Sequence, residues 1–207
     1  MENNNYIITI GRQLGSGGKS IGEALSKELG IPCYDKELLS LASKESGLGK
    51  EYFEQMDEKE SRSFFGSLMG FRSGYMGSSQ NNYLSNETLF KIQSDTIREL
   101  AQKGSCIFVG RCADYILREH PHLISVFITA DPDDRITRIA HDNSISKQEA
   151  ETLIEKTDKK RASYYNYYSN KVWGLASSYD LCINSSILGL EKTTEFILEF
   201  VKDWRIA

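Results

Sequence analysis

The chain has 207 residues, of which 40% are hydrophobic and 26% charged, and its formal net charge at pH 7 is -4. This profile is typical of one globular domain with a sizeable core, so we expect residues 1–207 to form a single domain. The acidic balance argues against broad electrostatic binding to nucleic acid or to an anionic membrane. No apolar run approaches the ~20 residues of a membrane-spanning helix, and the first residues lack the pattern of a secretory signal. We therefore expect a cytoplasmic protein.

Strands and helices alternate along the predicted chain. Apolar runs predict strands at 6–11, 31–34, 105–110, 123–129 and 180–184. Helical spacing predicts helices at 18–29, 36–46, 50–57, about 86–103, near Ala113, after Asp131, from Ser146 to about Tyr168, and at about 190–203. This order predicts a five-stranded parallel sheet covered by helices on both faces, a three-layer α/β domain. Ligands of such sheets bind at the carboxyl ends of the strands.

Three local features refine this prediction. Asp131 followed by Pro132 is typical of a helix start, and Ser146 with Glu149 predicts a capping box. The segment 64–82 is rich in Gly and Ser but also carries Phe, Met and Tyr. A pure linker would lack those aromatic residues, so we predict a mobile loop that closes over a ligand.

The four cysteines show no pair at the spacing of a metal or redox motif. Cys33, Cys106 and Cys182 lie in or beside short apolar runs, and we expect reduced core residues, as in a cytosolic protein. Cys112 follows a predicted strand near a suspected site, and a buried small residue is its expected role.

The segment "GRQLGSGGKSIGEAL" (11–25) resembles a phosphate-binding loop, with four glycines in eight residues between a strand and a helix. The backbone amides of such a turn form an anion site at the helix N-terminus. A tight turn whose glycines serve packing alone is the alternative. We expect nucleotide phosphates to contact the following six residues: Gly15, Ser16, Gly17, Gly18, Lys19 and Ser20.

The position of the phosphate lysine in this loop has two solutions. In the usual pattern Gly-x-x-x-x-Gly-Lys-Ser/Thr, a small residue stands four positions after the lysine and a leucine seven after it. Counting from Gly18 meets both conditions, at Gly22 and Leu25, whereas counting from Lys19 meets neither. Helix phase therefore favours Gly18 at the lysine position. Lys19 and Ser20 then stand one place late, although Lys19 can still swing its ammonium toward a phosphate.

Five ordered motifs make nearly the whole chain resemble the cytidylate kinase-like family of P-loop proteins. They are "GRQLGSGGKSIG", "LGIPCYDKELL", "FVGRCADYIL", "DKKRASYYNYYSNKVWG" and "YDLCINSS". The resemblance implies a P-loop kinase fold with a helical acceptor-binding insert, which we place at about 36–85, and a closing lid at about 144–178. It also implies ATP with Mg²⁺ and a nucleoside monophosphate, such as CMP, as the acceptor.

The resemblance further implies roles for individual residues. Arg111, in "VGRCAD", corresponds to an arginine that grips the acceptor phosphate, and Arg138 to one that faces the phosphates. Asp158 and Arg161 match an Asp-x-x-Arg pair in which the aspartate contacts the base and the arginine meets the acceptor phosphate. With Lys19, these three arginines are the expected catalytic cations.

The chain departs from the cytidylate kinase pattern at three positions. Cys112 stands where cytidylate kinases have an aspartate. Asp35 matches the aspartate that ends their second strand, but the serine and the arginine that follow it there are replaced by Lys36 and Leu41. The departures leave the identity of the acceptor open.

The remaining candidate residues each carry an alternative. Asp35 and a loop hydroxyl, that of Ser20 or Ser16, are predicted to hold Mg²⁺, although Asp35 also suits a helix N-cap. Gln93 lies on the apolar stripe of its helix, so it either reaches the acceptor pocket or bonds to a nearby carbonyl. Arg135 shares a helix face with Arg138, and a solvated surface residue is its alternative.

The cluster "YYNYY" (164–168) raises a further possibility. Tyrosines beside Arg161 and Lys171 would suit stacking on single-stranded nucleic acid. Four tyrosines within one and a half turns cannot all face one way, so we expect some in the core, and the acidic balance disfavours nucleic acid. Trp173 and Gly174 are predicted to hinge the lid.

Two functions remain after these considerations. The first is phosphoryl transfer from ATP to a nucleoside monophosphate or a related small metabolite. The second is a regulatory module that binds nucleotides but has lost catalysis, and Gly18 at the lysine position motivates it. The sequence leaves the oligomeric state open.

Overall fold

A computed structural model describes residues 5–35, residue 47 and residues 79–204, with the backbone alone for 79–86. The predicted helices at 36–46 and 50–57, and most of the predicted loop at 64–82, lie outside these residues. The contacts divide the chain into two compact units, one of residues 1–36 and 100–207 and the other of residues 37–99. Among the described residues, no helix is both long enough and apolar enough to cross a bilayer.

The first unit contains all five predicted strands. They are β1 (Ile7–Arg12), β2 (Cys33–Tyr34), β3 (Cys106–Val109), β4 (Leu123–Thr129) and β5 (Leu181–Asn184). The helices are α1 (Gly18–Leu29), α2 (Ser79–Lys103, which begins in the second unit), α3 (Ala113–Ile116), α4 (Pro132–Asn143), α5 (Lys147–Ser169) and α6 (Ser185–Trp204). A short 3₁₀ helix spans Ala176–Ser178.

The strands form one parallel sheet in the order β2-β3-β1-β4-β5. This confirms the prediction of a five-stranded parallel sheet in an α/β fold. Because β1 lies between β3 and β4, the turns that follow these three strands emerge side by side at the carboxyl edge. The loop after β1 is therefore next to both the Gly110–Arg111 turn and the start of α4.

The core forms where alternate strand residues meet α1 and α6. Ile8 and Ile10 of β1 pack with Ile21 and Leu25 of α1 and with Ile197 of α6. Each of these residues is at most 1% exposed to solvent. Burying a side chain of this size contributes about 1.5–3 kcal/mol, so this layer fixes α1, and with it the preceding loop, on the sheet.

The opposite face of the sheet is aromatic. The Phe127 ring lies 4.9 Å from the Tyr179 ring and 5.2 Å, edge to face, from the Trp173 ring, measured between centroids. Trp173 is also held by its amide, which donates to Asn166 Oδ1 at 2.8 Å. The predicted hinge at Trp173 and Gly174 thus packs against the sheet, and its role as a hinge stays a prediction.

Several boundaries differ from prediction for identifiable reasons. Helix α2 begins at Ser79, so residues 79–82 are helical rather than loop, since no glycine or proline follows Gly77 to interrupt it. Helix α6 begins at Ser185, with a kink at Gly189 (φ 76°) just before the predicted start near residue 190.

Two further predictions are corrected. Cys182 is exposed rather than buried because β5 is an edge strand and this residue faces outward. Asp131 occupies the N-cap position of α4, but its side chain caps nothing and instead accepts from Asn184 Nδ2 at 2.8 Å. The capping box of Ser146 with Glu149 is confirmed. All four cysteines are free thiols, and Cys112 is buried, as predicted.

Candidate active site

The turn between β1 and α1 is a glycine-rich loop that ends in a helix N-terminus. Gly15 and Gly17 have φ of 80° and 79°, in the left-handed region that favours glycine. Gly17 is the N-cap, and α1 begins at Gly18. The first amides of α1 therefore point toward the carboxyl edge of the sheet, where a helix N-terminus attracts anions.

Three consecutive loop carbonyls are held by side chains from other elements. The pairs are Arg135 Nε donating to the Leu14 oxygen at 2.7 Å, Arg138 Nη1 donating to the Gly15 oxygen, and Ser185 Oγ donating to the Ser16 oxygen at 2.8 Å. In a trans peptide bond, the N–H of one residue points opposite to the C=O of the residue before it. The bonds to the carbonyls of Leu14 and Ser16 therefore direct the amides of Gly15 and Gly17 away from α4 and α6. The Ser16 amide instead closes a turn on the Gln13 carbonyl at 3.3 Å.

Asp158 of α5 ties the same loop to two helices. Its Oδ1 accepts from the Leu14 amide at 2.8 Å, and its Oδ2 accepts from Arg135 Nη2. The Arg135 side chain is 9% exposed and the Asp158 side chain 15% exposed, so the ion pair is largely withdrawn from water. Arg135 is therefore not the solvated surface residue of the alternative. The predicted contact of Asp158 with a base stays a prediction.

Arg161, one turn further along α5, reaches the end of β1. Its Nη1 donates to the Arg12 carbonyl at 3.1 Å and lies 3.9 Å from Asp158 Oδ1. Burial lowers the pKa of Arg161, Asp158 opposes the shift, and the charges of Arg135 and Arg111 add to it. An arginine stays charged nevertheless. Three guanidinium groups therefore lie close enough to influence one another beside the loop.

Arg111 occupies a constrained turn after β3. Gly110, Arg111 and Cys112 are successive left-handed residues, with φ of 82°, 62° and 55°. Such a conformation is unfavourable for residues with a Cβ, and it persists where the surroundings hold it, frequently at functional sites. The Arg111 guanidinium carbon lies 5.9 Å from the centroid of the Tyr164 ring. The structure thus fixes Arg111 beside the loop.

Lys19 points away from the loop toward β2. Its Nζ lies 2.7 Å from Asp35 Oδ2 and 3.9 Å from Glu23 Oε1, and its side chain is 59% exposed. Asp35 is only 14% exposed. The predicted role of Lys19 as a phosphate ligand therefore requires its side chain to rotate, and it stays a prediction. Ser20 is exposed on the first turn of α1.

The oxygen donors near the loop suit a magnesium ion that is carried by phosphates. In the described ranges, His, Cys, Asp and Glu side chains form no group of three or more that could hold a metal by themselves. Mg²⁺ commonly uses one or two carboxylates together with substrate phosphates and water. The Ser20 hydroxyl and the Asp35 carboxylate fit this limited contribution.

Gln93 lies in the second unit, where its side chain is 3% exposed on α2. Its neighbours on the helix include the buried Ile92 and Ile97. Its predicted contact with an acceptor stays a prediction.

The tyrosine cluster divides between core and surface, as expected. Tyr165 is buried and donates to Asp114 Oδ2 at 2.7 Å, whereas Tyr167 is exposed. Burial raises the pKa of Asp114, and the bond from Tyr165 partly opposes the shift. Burial also raises the pKa of Tyr164. The cluster is thus in large part structural.

Sequence reasoning missed two residues of this site. Arg12 was not singled out, although it stands directly between a strand and the glycine run. Ser185 was not singled out either; it is buried and also donates to the Thr129 carbonyl at 3.1 Å. Both stand at the carboxyl ends of predicted strands, β1 and β5, and that position was the available signal.

Comparison with known proteins agrees with this architecture. Residues 7–187 match the cytidylate kinase-like family. A cytidylate kinase of Staphylothermus marinus is 36% identical over 107 residues, which cover 50% of this chain and 58% of that protein. The match thus spans well under two thirds of the relative's length.

Two solved structures share the fold across nearly the whole chain. An uncharacterized protein from Eubacterium ventriosum has a TM-score of 0.71 and 28% identity, covering 95% of this chain and 98% of its own. Shikimate kinase from Acinetobacter baumannii, solved in complex with shikimate, has a TM-score of 0.54 at 12% identity and covers 99% of this chain and 97% of its own. The latter likeness concerns the P-loop kinase fold alone. With the match over residues 7–187, the chain belongs to the cytidylate kinase-like family.

Proposed function

We propose that this protein transfers the γ-phosphoryl group of Mg·ATP to a nucleoside monophosphate, with CMP and dCMP as the first acceptors to test, or to a related small metabolite. The loop after β1 carries the proposal, because its carbonyls at residues 14–16 are all held by side chains outside it. A loop whose carbonyls are held by other elements can present amides, here those of Gly15 and Gly17, to a polyphosphate. Membership of the cytidylate kinase-like family supports the same activity. The free thiols suit a cytoplasmic protein.

The nucleotide phosphates would bind at Gly15, Ser16, Gly17, Gly18, Lys19 and Ser20. The amide dipoles of α1 favour negative charge at its N-terminus. Lys19 would leave Asp35 to meet a phosphate, because its own side chain is 59% exposed and a charge-assisted bond to a phosphate dianion can compete with the ion pair to Asp35. Asp35, released from Lys19, would then join Ser20 as a ligand of the magnesium ion.

The acceptor phosphate would bind at the turn after β3. The Gly110 amide donates to the Ile10 carbonyl at 3.0 Å, which holds this turn directly beside the end of β1. Arg111 follows at once, so its guanidinium projects from an element registered against the ATP loop. Phosphoryl transfer depends mostly on positioning and on neutralising charge, and two phosphates on adjacent strand ends meet the first condition.

Arg138 and Arg161 would stabilise the moving phosphoryl group. Each donates to a loop carbonyl, of Gly15 and Arg12 respectively. A charge-assisted bond to phosphate is roughly twice as strong as one to a neutral carbonyl. A bound polyphosphate can therefore draw either guanidinium to itself without unpairing a buried carboxylate. Asp158 would hold the loop in place, because its two oxygens accept from the Leu14 amide and from Arg135.

The test is a steady-state assay of ADP formation with Mg·ATP and a panel of nucleoside monophosphates and small hydroxylated metabolites. We expect turnover that depends on one acceptor class and yields ADP and the phosphorylated acceptor in equal amounts. Arg111→Ala should raise the KM for the acceptor and lower kcat. Arg118→Ala is the matched control, because Arg118 is an exposed arginine stacked 4.3 Å over Tyr115 on the same segment. Absence of acceptor-dependent ADP would count against the proposal.

The runner-up function is a regulatory module that binds nucleotides without transferring phosphate. Gly18 at the usual lysine position favours it. Such a module would bind ATP in calorimetry yet yield no ADP with any acceptor, and Lys19→Ala would then have no turnover to reduce. The two functions therefore differ in one measurement on the unmodified protein.

A further inference from the structure

The side chain of Arg12 fills the space beside Gly18. A Cβ built on Gly18 would lie 2.6 Å from Arg12 Cβ and 3.0 Å from Arg12 Cγ. The first contact is shorter than a Cβ tolerates and the second is tight, and Arg12 Cβ cannot move without its strand. Gly18 itself lies in α1 and has no left-handed φ, so its backbone would accept a side chain. What excludes a lysine at residue 18 is Arg12.

The guanidinium of Arg12 continues across to the turn after β3. A Cβ built on Gly110 would collide with Arg12 Nη1 and lie 2.9 Å from Arg12 Cζ. The Arg12 side chain thus runs from the first residue of α1 to the residue before Arg111. Its charged end therefore lies against the turn that precedes Arg111, where we propose that the acceptor phosphate binds.

The backbone of Arg12 is held in place from two sides. Its position in β1 pairs with Ile128 of β4, and its carbonyl accepts from Arg161 Nη1 at 3.1 Å. Lys19, by comparison, lies 59% exposed with its ammonium at Asp35. Of these two cations, Arg12 is the one whose charged end lies beside the turn of the proposed acceptor site.

We propose that Arg12 is a catalytic residue that takes the place of the missing P-loop lysine, its guanidinium bridging the γ-phosphoryl group of ATP and the acceptor phosphate. This inference rests on the proposed kinase function and adds a residue to it. The lysine of a usual loop reaches the phosphates from the helix side; here the charge reaches them from the end of the strand. A glycine at residue 18 then follows from the proposal, because the side chain of Arg12 occupies the space that a lysine there would need.

The step that Arg12 assists is a simple displacement. An oxygen of the acceptor forms a bond to the γ-phosphorus while the bond from that phosphorus to the β–γ bridging oxygen breaks and ADP leaves. A monophosphate acceptor attacks as its dianion, so no proton has to move. Arg12 neither gives nor takes a proton, and its planar fork holds one oxygen from each side.

The first test compares Arg12→Ala and Arg12→Lys with Lys19→Ala and with the control Arg118→Ala. We expect Arg12→Ala to lower kcat by about a hundredfold and the affinity for ATP about tenfold, with a smaller loss for ADP because the γ-phosphate is absent. Arg12→Lys should keep part of both. The loss from Arg12→Ala should exceed that from Lys19→Ala. If Lys19→Ala abolishes turnover while Arg12→Ala retains it at an unchanged melting temperature, the proposal is overturned.

The second test exchanges the two cations. Gly18→Lys alone should be inactive, because Arg12 occupies the space of the new side chain. In the double variant Arg12→Gly, Gly18→Lys, that space is open, and we expect at least about tenfold recovery of kcat over Arg12→Gly alone. No recovery would overturn the claim that the two side chains share one place and one role.

Failure of this inference is distinguishable from failure of the proposed function. Calorimetry with ATP and ADP needs no acceptor and no turnover, so it reports on Arg12 even if the acceptor is misidentified. Loss of ATP affinity in Arg12→Ala beyond the loss of ADP affinity supports the inference. Equal affinities in wild type and Arg12→Ala overturn it, whereas absence of turnover in the wild type with ATP bound overturns the kinase function alone.

Discussion

Replacing Asp158 with alanine should destabilise the protein and weaken nucleotide binding together. The Asp158 carboxylate accepts from the Leu14 amide at 2.8 Å and pairs with Arg135, whose side chain is 9% exposed. Alanine would leave that guanidinium buried without its carboxylate and the Leu14 amide without its acceptor. The loop would lose its attachment to α5, and the Arg135 guanidinium on α4 would lose its carboxylate partner.

The size of the effect follows from these contacts. Removing one partner of a buried ion pair costs about 3–5 kcal/mol. Because Asp158 is 15% exposed and Arg135 still donates to the Leu14 carbonyl, we expect the lower end, about 3 kcal/mol. For a domain of this size that corresponds to a fall in melting temperature of roughly 6–12 °C.

The assay is urea unfolding followed by circular dichroism, with ATP affinity measured on the same samples. The informative companion is the double variant Arg135→Met, Asp158→Leu. Replacing a buried ion pair by apolar residues of similar volume is often neutral for stability, so the double variant should be more stable than Asp158→Ala. Its ATP affinity should stay low, because Leu14 still lacks the carboxylate that holds its amide.

A different pattern would refute this reasoning. If Asp158→Ala unfolds at the same urea concentration as wild type and raises only the KM of the acceptor, Asp158 contacts the base, as the family resemblance implies. If the double variant also regains full ATP affinity, the bond from the Leu14 amide contributes nothing to the loop.

Three further outcomes are expected. Arg111→Gly and Arg111→Ala should lose turnover equally, but the glycine variant should be more stable by about 1 kcal/mol, since the left-handed φ of 62° no longer opposes a Cβ; equal melting temperatures would contradict this. Lys19→Ala should reduce kcat and lower the free energy of unfolding by no more than about 1 kcal/mol, because the Lys19 side chain is 59% exposed although that of Asp35 is only 14% exposed. Burial raises the pKa of Asp114 from its ordinary 3.8, so the folded state binds the extra proton and wild-type stability should fall as the pH rises from there toward the folded pKa. Asp114→Asn should lack that fall in urea titrations across this range, and parallel curves would contradict it.

The sheet and the glycine-rich turn between β1 and α1 were predictable because each depends on local patterns. The runs that became β1, β3 and β4 are short, apolar and separated by helical spacing, and α1 occupies the predicted 18–29. Helix phase also favours Gly18 at the position of the usual lysine, and that assignment stays a prediction. The structure supplies the physical reason, since a residue with a Cβ at that place would meet Arg12.

The partners of the charged residues were not predictable because they join distant parts of the chain. Arg135 and Asp158 are separated by a helix end, a cap and most of two helices, and nothing local indicates that they pair. From the sequence alone, Arg135 was therefore equally compatible with a surface position and with a role in the site. Lys19 and Asp35 show the same difficulty. The sequence predicts a phosphate ligand and a metal ligand, respectively, but nothing local predicts that the two side chains form an ion pair with each other.

Arg135 and Arg138 lie on the same turn of α4, but their hydrogen-bond partners suit them to different roles. They stand three residues apart on α4 and donate to adjacent loop carbonyls, those of Leu14 and Gly15. Arg135 is also paired with a carboxylate, so drawing it to a phosphate would leave Asp158 with the longer ion pair to Arg161, at 3.9 Å, and the bond from the Leu14 amide. The contacts of Arg138 described here hold it by a neutral acceptor, which a phosphate dianion can outcompete. We therefore propose that Arg135 holds the fold, whereas Arg138 is the arginine that moves to a nucleotide, because only Arg135 has a carboxylate partner among the contacts described here.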